Sequence, residues 1–200
     1  MPRPNVETKR RQQILEAAMT CFSRKGYYSS SMDDIAAELS FSKALIYYYF
    51  NTKRDIFLAI LEDWARESIN AWKMMLSSEN DVTTQLRKGL EYGVQLIVQF
   101  QGLSRIEFEF YAETGRDEEV RQAIQSVFAQ FRAEFKNLLD TGIANGEFRP
   151  LNTEALSAVL FGTYEGLAIQ ATVAPDLLDW STVLESLFDM TMQGISSSKE

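Results

Sequence analysis

Apolar residues recur at three- and four-residue spacing along almost the whole chain, and very little interrupts them. There is no proline between Pro4 and Pro150, and the only others are Pro2 and Pro175. No β-branched run alternates with polar residues over a strand's length. Such a chain folds as helices joined by short turns. The reading is all-α, with an N-terminal three-helix helix-turn-helix domain joined by a long helix to a C-terminal helical bundle.

The first helix carries Ile14, Ala17, Ala18, Cys21 and Phe22 on one stripe and stops at Lys25-Gly26. Ser31-Met32-Asp33-Asp34 has the form of a capping box and opens a second helix to about Leu39. Ser40-Phe41-Ser42 makes a tight turn, and a short third helix spans Lys43 to Tyr49. Asn51 or Thr52 caps a fourth helix reaching about Leu76, with Asp55 three residues after Thr52. The polar stretch 77–81 is a break. Beyond it helices are expected at about 82–100, 103–114, 118–144, 152–172 and 180–195. The division expected is between residues 1–52 and residues 53–200.

Composition excludes several functions. The chain has no histidine and one cysteine, Cys21, at helical spacing where a small core residue belongs. Ser-His and Cys-His catalysis, most zinc sites and an internal disulfide are therefore ruled out. No metal-ligand spacing, phosphate loop or cofactor motif stands in the sequence, so neither a cofactor nor enzymatic activity is expected. The first residues lack the apolar core of a signal peptide, and no apolar run approaches the ~20 residues that span a bilayer. A cytoplasmic protein with no membrane partner is expected.

The net charge of −8 is unevenly spread. Residues 1–54 hold 9 Lys/Arg and 5 Asp/Glu, a balance of +4, leaving −12 for the rest. A basic head on an acidic body suits DNA, because phosphate attraction is local. Ordinary fluctuation in surface charge gives the same pattern.

Within 31–50 a capped helix, a short turn and a second helix can cross so that the second lies in a major groove. The same topology also serves as plain structure. On the third helix, Ile46 and Phe50 can face inward and Ser42, Lys43, Leu45, Tyr48 and Tyr49 outward. Three consecutive tyrosines cannot share one helix face. Tyr47 is read as the packing member and Tyr48 as a donor to phosphate. Lys53 and Arg54 stand at a helix N-terminus, which favours an anion.

These residues resemble those of the TetR-type regulators. The likeness rests on Ala17-Ala18, Phe22, Lys25-Gly26-Tyr27 and Ser30 through Ala36. It continues through Phe41-Ser42-Lys43, Ile46-Tyr47 and Tyr49-Phe50 to Lys53, in order and spacing over about residues 10–60. The family's usual Ala-Gly-Val is here Leu39-Ser40-Phe41, and the glycine usual after the following Ser-Lys is Ala44. The resemblance implies a DNA-facing set of Ser31, Ser42, Lys43, Ala44, Leu45, Tyr48, Tyr49 and Lys53, with Leu45 an apolar reader of a thymine methyl.

The C-terminal part looks like the BetI-type version of the domain, through Phe108 to Glu113, Arg116 to Arg121, Gly142, Gly146 to Arg149 and Gly166-Leu167. That likeness implies a homodimer formed by the last two helices, a palindromic double-stranded DNA operator and a small-molecule inducer, with 1–52 the DNA-binding domain and 53–200 the ligand-binding and dimerisation domain. Leu156, Val159, Leu160, Tyr164 and Leu167 form one apolar stripe. Val183, Leu184, Leu187, Phe188 and Met192 form another. Either stripe also fits an intramolecular core. Candidate inducer contacts are Tyr92, Leu96, Phe100, Phe108, Tyr111, Phe128, Phe131, Tyr164 and Gln170, each of which also reads as ordinary core packing. Glu107, Glu109 and Glu165 lie among apolar residues and either meet a cationic ligand or serve as solvated or capping side chains. The implied function is a ligand-responsive transcriptional regulator, a repressor released by its inducer. The alternatives are a helical small-molecule-binding or catalytic protein with a purely structural helix-turn-helix, and a module that binds another protein.

Overall fold

A computed structural model describes residues 4–39, 42–77, 81–99, 108 and 111–197, with backbone alone at 4–5 and 93–99. Its named helices are α1 (Pro4–Lys25), α2 (Met32–Glu38), α3 (Lys43–Tyr49), α4 (Lys53–Leu76), α5 (Val82–Gln99), α6 (Glu118–Ala144), α7 (Thr153–Val173) and α8 (Trp180–Ile195). The boundaries follow the capping signals closely. Most of the helix expected at 103–114 lies outside the described residues; Phe108 and 111–113 are helical.

The chain forms two compact units. One comprises residues 1–66 with 105–125, the other 67–104 with 126–200. Packing thus groups the first turns of α4 with the head, whereas the expected division at 52–53 separates functions.

In the first unit, α1 buries Ile14, Leu15, Ala18, Cys21 and Phe22 completely or nearly so. Ile35 of α2, Ile46 of α3 and Ile56 and Phe57 of α4 are also fully buried. Phe57 stacks on Tyr27 at 4.2 Å between centroids and meets Phe22 edge-on at 5.9 Å. Large side chains buried in this way contribute about 1.5–3 kcal/mol each. Residues 113–119 also belong to this unit. Asp117 and Glu119 both accept from the Arg54 guanidinium, and Arg116 donates to the Tyr28 hydroxyl at 2.6 Å.

The second unit has its own core, with Trp72, Leu86, Leu90, Leu139, Phe148, Leu160, Phe161 and Phe188 among its members. The turn after α6 closes it. Gly142 lies so near the Phe148 ring that a Cβ there would stand 2.2 Å from it. Gly146 adopts φ +77°, in the left-handed region that favours glycine. The Glu147 carboxylate then accepts from the Val82 and Thr83 N–H groups at 3.1 and 3.0 Å, at the start of α5. Burial pushes this carboxyl up, but hydrogen bonds from Val82 and Thr83 outweigh it and hold it below its usual range.

The two apolar stripes turn mostly inward. Leu160 and Phe188 are buried, and Leu156, Tyr164, Leu187 and Met192 pack against the same core. Leu167, Val183 and Leu184 pack around Ala171 and Trp180. Only Val159 of the named residues is well exposed, at 60%. Because α7 is apolar on more than one face, its periodicity could not say which face the core would take.

Candidate nucleic-acid interface

The candidate face starts at the N-terminus of α2. Ser31 has extended backbone angles, and its hydroxyl accepts from the Asp34 N–H at 3.1 Å and donates to the Asp34 carboxylate at 2.7 Å. Asp34 also accepts from the Ser31 N–H at 2.9 Å, which completes the capping box. Hydrogen bonds from the Lys25 side chain and from Ser31 lower the Asp34 pKa to about 2. The Ser31 side chain is thereby fixed at an exposed helix start.

Ser42 precedes α3 with an extended conformation, and its hydroxyl makes no capping bond. Ile46 is completely buried and Phe50, one turn on, nearly so. This inner edge orients the rest of the helix. Ser42, Lys43, Ala44 and Tyr48 are exposed, while Leu45 and Tyr49 are half-buried. Tyr48 is 67% exposed and meets Tyr49 edge-on at 5.1 Å. The packing assignment for Tyr47 is overturned, since that residue is 45% exposed. At ~100° per residue Tyr47 and Tyr49 flank the Ile46–Phe50 edge on opposite sides, and Tyr49 is the one drawn inward. Ser40 and Phe41 lie outside the described residues.

The head's cations are widely paired. Lys43 contacts Asp33 at 2.7 Å, Arg11 meets the buried Asp63 at 2.8 Å, and Lys25 and Arg24 engage Asp34 and Glu38. The hydrogen bond from Lys43 to Asp33 raises the lysine pKa. The Tyr48 hydroxyl donates to Glu7 at 3.3 Å, and its phenol is pushed up by the Glu7 charge and that bond. Lys53 takes a structural position. It lies 4.2 Å above the Tyr27 ring and donates to the Tyr27 and Ser30 carbonyl oxygens at 2.5 and 2.8 Å. At the start of α4 the cap is Thr52, which exchanges reciprocal bonds with Asp55.

Spacing gave no sign of three carboxylates on this unit: Glu7 beside Tyr48, and Asp117 and Glu119 on Arg54. Their partners are 41, 63 and 65 residues away, beyond any local pattern. The adjacent charges of Asp117 and Glu119 raise the Arg54 pKa.

Of the candidate inducer contacts, Tyr92, Phe128, Phe131 and Tyr164 come together against the second unit's core. Phe128 and Phe131 both pack on Phe161, at 5.4 and 5.6 Å. Gln170 is exposed and its amide donates to the Gly166 carbonyl at 3.4 Å. Phe108, 36% exposed, and Tyr111, half-buried, belong to the first unit. The Leu96 side chain and Phe100, with Glu107 and Glu109, lie outside the described residues; Glu165 is half-buried. Among the described residues, no group of three or more acidic or cysteine side chains could hold a metal ion, and no helix is long and apolar enough to cross a membrane.

Comparison with known proteins finds a family match in each half of the chain. Residues 14–60 match the family of bacterial regulatory proteins, tetR family, and residues 88–176 match a tetracyclin repressor-like C-terminal domain. The HTH-type transcriptional regulator YfiR of Bacillus subtilis is 31% identical over 163 residues, covering 76% of this chain and 75% of the relative. Among solved structures, a transcriptional regulator from Saccharomonospora viridis in complex with choline superposes with a TM-score of 0.82 at 23% identity, covering 95% of this chain and 99% of that one. The regulator FadR of Bacillus subtilis in complex with stearoyl-CoA gives 0.79 at 20% identity, with 92% and 98% covered.

Proposed function

The chain belongs to the TetR family of bacterial regulatory proteins, and from that premise we propose that it is a homodimeric repressor released from a palindromic operator by a small-molecule inducer. Members of this family are DNA-binding transcriptional regulators rather than enzymes. The observation that carries the reading is the sidedness of α3: Ile46 and Phe50 bury its inner edge and leave Ser42, Lys43, Ala44 and Tyr48 exposed. In the proposed complex Ser31, Lys43 and Tyr48 hold backbone phosphates, Ala44 allows close approach, and Leu45 and Tyr49 meet base edges or the sugar. Lys53 acts there by fixing the loop between α1 and α2 that precedes Ser31.

The proposed receiver is the 53–200 segment. The partly buried rings of Tyr92, Phe128, Phe131 and Tyr164 offer apolar and stacking contacts to an inducer. One structural neighbour holds choline and another stearoyl-CoA, so this architecture accommodates very different ligands. Inducer binding shifts the population toward a dimer whose heads are wrongly spaced for successive major grooves. Coupling of ~1–3 kcal/mol changes affinity about 5- to 150-fold.

Support for the dimer comes from Val159, Ile169 and Val173, exposed along one side of α7. Gly162 and Gly166 lie at matching helical spacing, with open space where a Cβ would be. Cytoplasmic location follows from the proposed DNA partner.

Selection of random-sequence duplexes by the purified full chain tests this reading. Enrichment of a palindrome is expected. Recovery of no preferred sequence at any salt concentration would contradict it.

A further inference from the structure

We infer that Asp33 and Glu7 occupy, in the free protein, the seats that two operator phosphates take in the complex, so that the reading surface masks itself and its affinity is held down. The inference rests on the reading of α3 as the DNA-facing helix. All three proposed phosphate donors are engaged by carboxylates, Ser31 by Asp34 within its own cap and the two on α3 by residues of other helices. The Lys43 ammonium reaches both oxygens of Asp33, at 2.7 and 2.8 Å. The Tyr48 hydroxyl donates to Glu7 at 3.3 Å. Carboxylate and phosphate oxygens are the same kind of acceptor for these donors, so one anion must leave when the other arrives.

Neither contact holds the fold together. The side chains of Lys43 and Asp33 are 46% and 70% exposed, and Tyr48 is 67% exposed. Pairs this accessible contribute little to stability. Their consequence is felt at the interface instead, where each donor must give up its carboxylate before it can take a phosphate. The two come from different helices, Asp33 from α2 and Glu7 from α1. They flank α3's donors in a head whose overall balance is only +4. Moderate affinity is useful to a regulator that an inducer must be able to dislodge.

The test uses the full chain and a duplex that the wild type has selected from a random library. Affinities of Asp33→Asn and Glu7→Gln are measured at about 150 mM salt, beside Glu16→Gln, which removes the same charge from an exposed position further along α1. Asp33→Asn and Glu7→Gln should each tighten binding about threefold to tenfold, and Glu16→Gln by less than about twofold. The Asp33→Asn gain should vanish when Lys43 is alanine, and the Glu7→Gln gain when Tyr48 is phenylalanine, as a double-mutant cycle requires. Unchanged or weaker binding, or gains that persist without Lys43 and Tyr48, would overturn the masking while leaving the DNA-reading head intact. Failure of the wild type to select any duplex would bring down the reading itself, and the masking with it.

Discussion

The Lys53 ammonium lies 4.2 Å above the ring of Tyr27 and donates to the carbonyl oxygen of the same residue at 2.5 Å. With its second bond, to the Ser30 carbonyl, it ties the start of α4 to the loop that leads into α2. A lysine expected to face phosphate thus serves first as an internal brace. Lys53→Met should lower stability by about 1–3 kcal/mol, the range for hydrogen bonds to a charged group. Urea unfolding of the full chain measures this. A variant as stable as the wild type but deficient in DNA binding would show that the contact to DNA dominates.

Gly142 and Phe148 set a second test. A Cβ at 142 would sit 2.2 Å from the ring, and Phe148 is only 2% exposed, so the ring has little room to retreat. Gly142→Ala should destabilise the second unit by about 1–3 kcal/mol, as overpacking does. Phe148→Leu in the same chain should restore part of the loss. Gly146→Ala, at φ +77° with open space around it, should cost about 1–2 kcal/mol through backbone strain alone. No partner substitution should rescue it.

The capping box predicts a pH dependence. Asp34 is lowered from 3.8 to about 2 in the folded chain, so the folded state binds fewer protons there than the unfolded state. Its contribution is fully present above about pH 4 and is lost as pH falls toward 2. Glu147, also lowered, acts in the same direction. Helical circular dichroism between these pH values should show a shallower acid transition for Asp34→Asn than for the wild type. Identical slopes would mean that the box contributes nothing to acid stability.

Self-association should depend on the exposed side of α7. Val173 is 73% exposed, and Gly162 has open space beside it. Val173→Glu and Gly162→Leu should each shift sedimentation from dimer toward monomer without loss of helicity. Leu160→Ala, in the core, should instead lower stability by about 2–5 kcal/mol. A wild type that sediments as a monomer at every concentration would refute the proposed dimer.

Much of this was legible in the residues because helix ends announce themselves locally. Ser31 with Asp34, and Thr52 with Asp55, form the capping pairs that their three-residue spacing promised. Ile46 and Phe50, four apart, fixed the inner edge of α3. Burial at one turn's spacing did not assign the tyrosines correctly, because Tyr47 and Tyr49 lie on opposite flanks of that edge. The apolar stripes of α7 and α8 left core and surface undecided for a related reason. Leu160 and Phe188 are core, and Val159, Ile169, Val173 and Met190 are exposed. Long-range pairings such as Tyr48 with Glu7 and Arg54 with Asp117 were beyond reach, since no period links residues on different helices.

The central claim, that the outer side of α3 reads DNA, is tested most directly by titrating the selected operator and a scrambled duplex with wild type, Lys43→Ala and Tyr48→Phe at about 150 mM salt. The account predicts selective binding by the wild type and weaker operator binding by both variants, with helicity unchanged. Equal affinity of all three proteins for the operator would contradict it and place the DNA contact elsewhere on the chain.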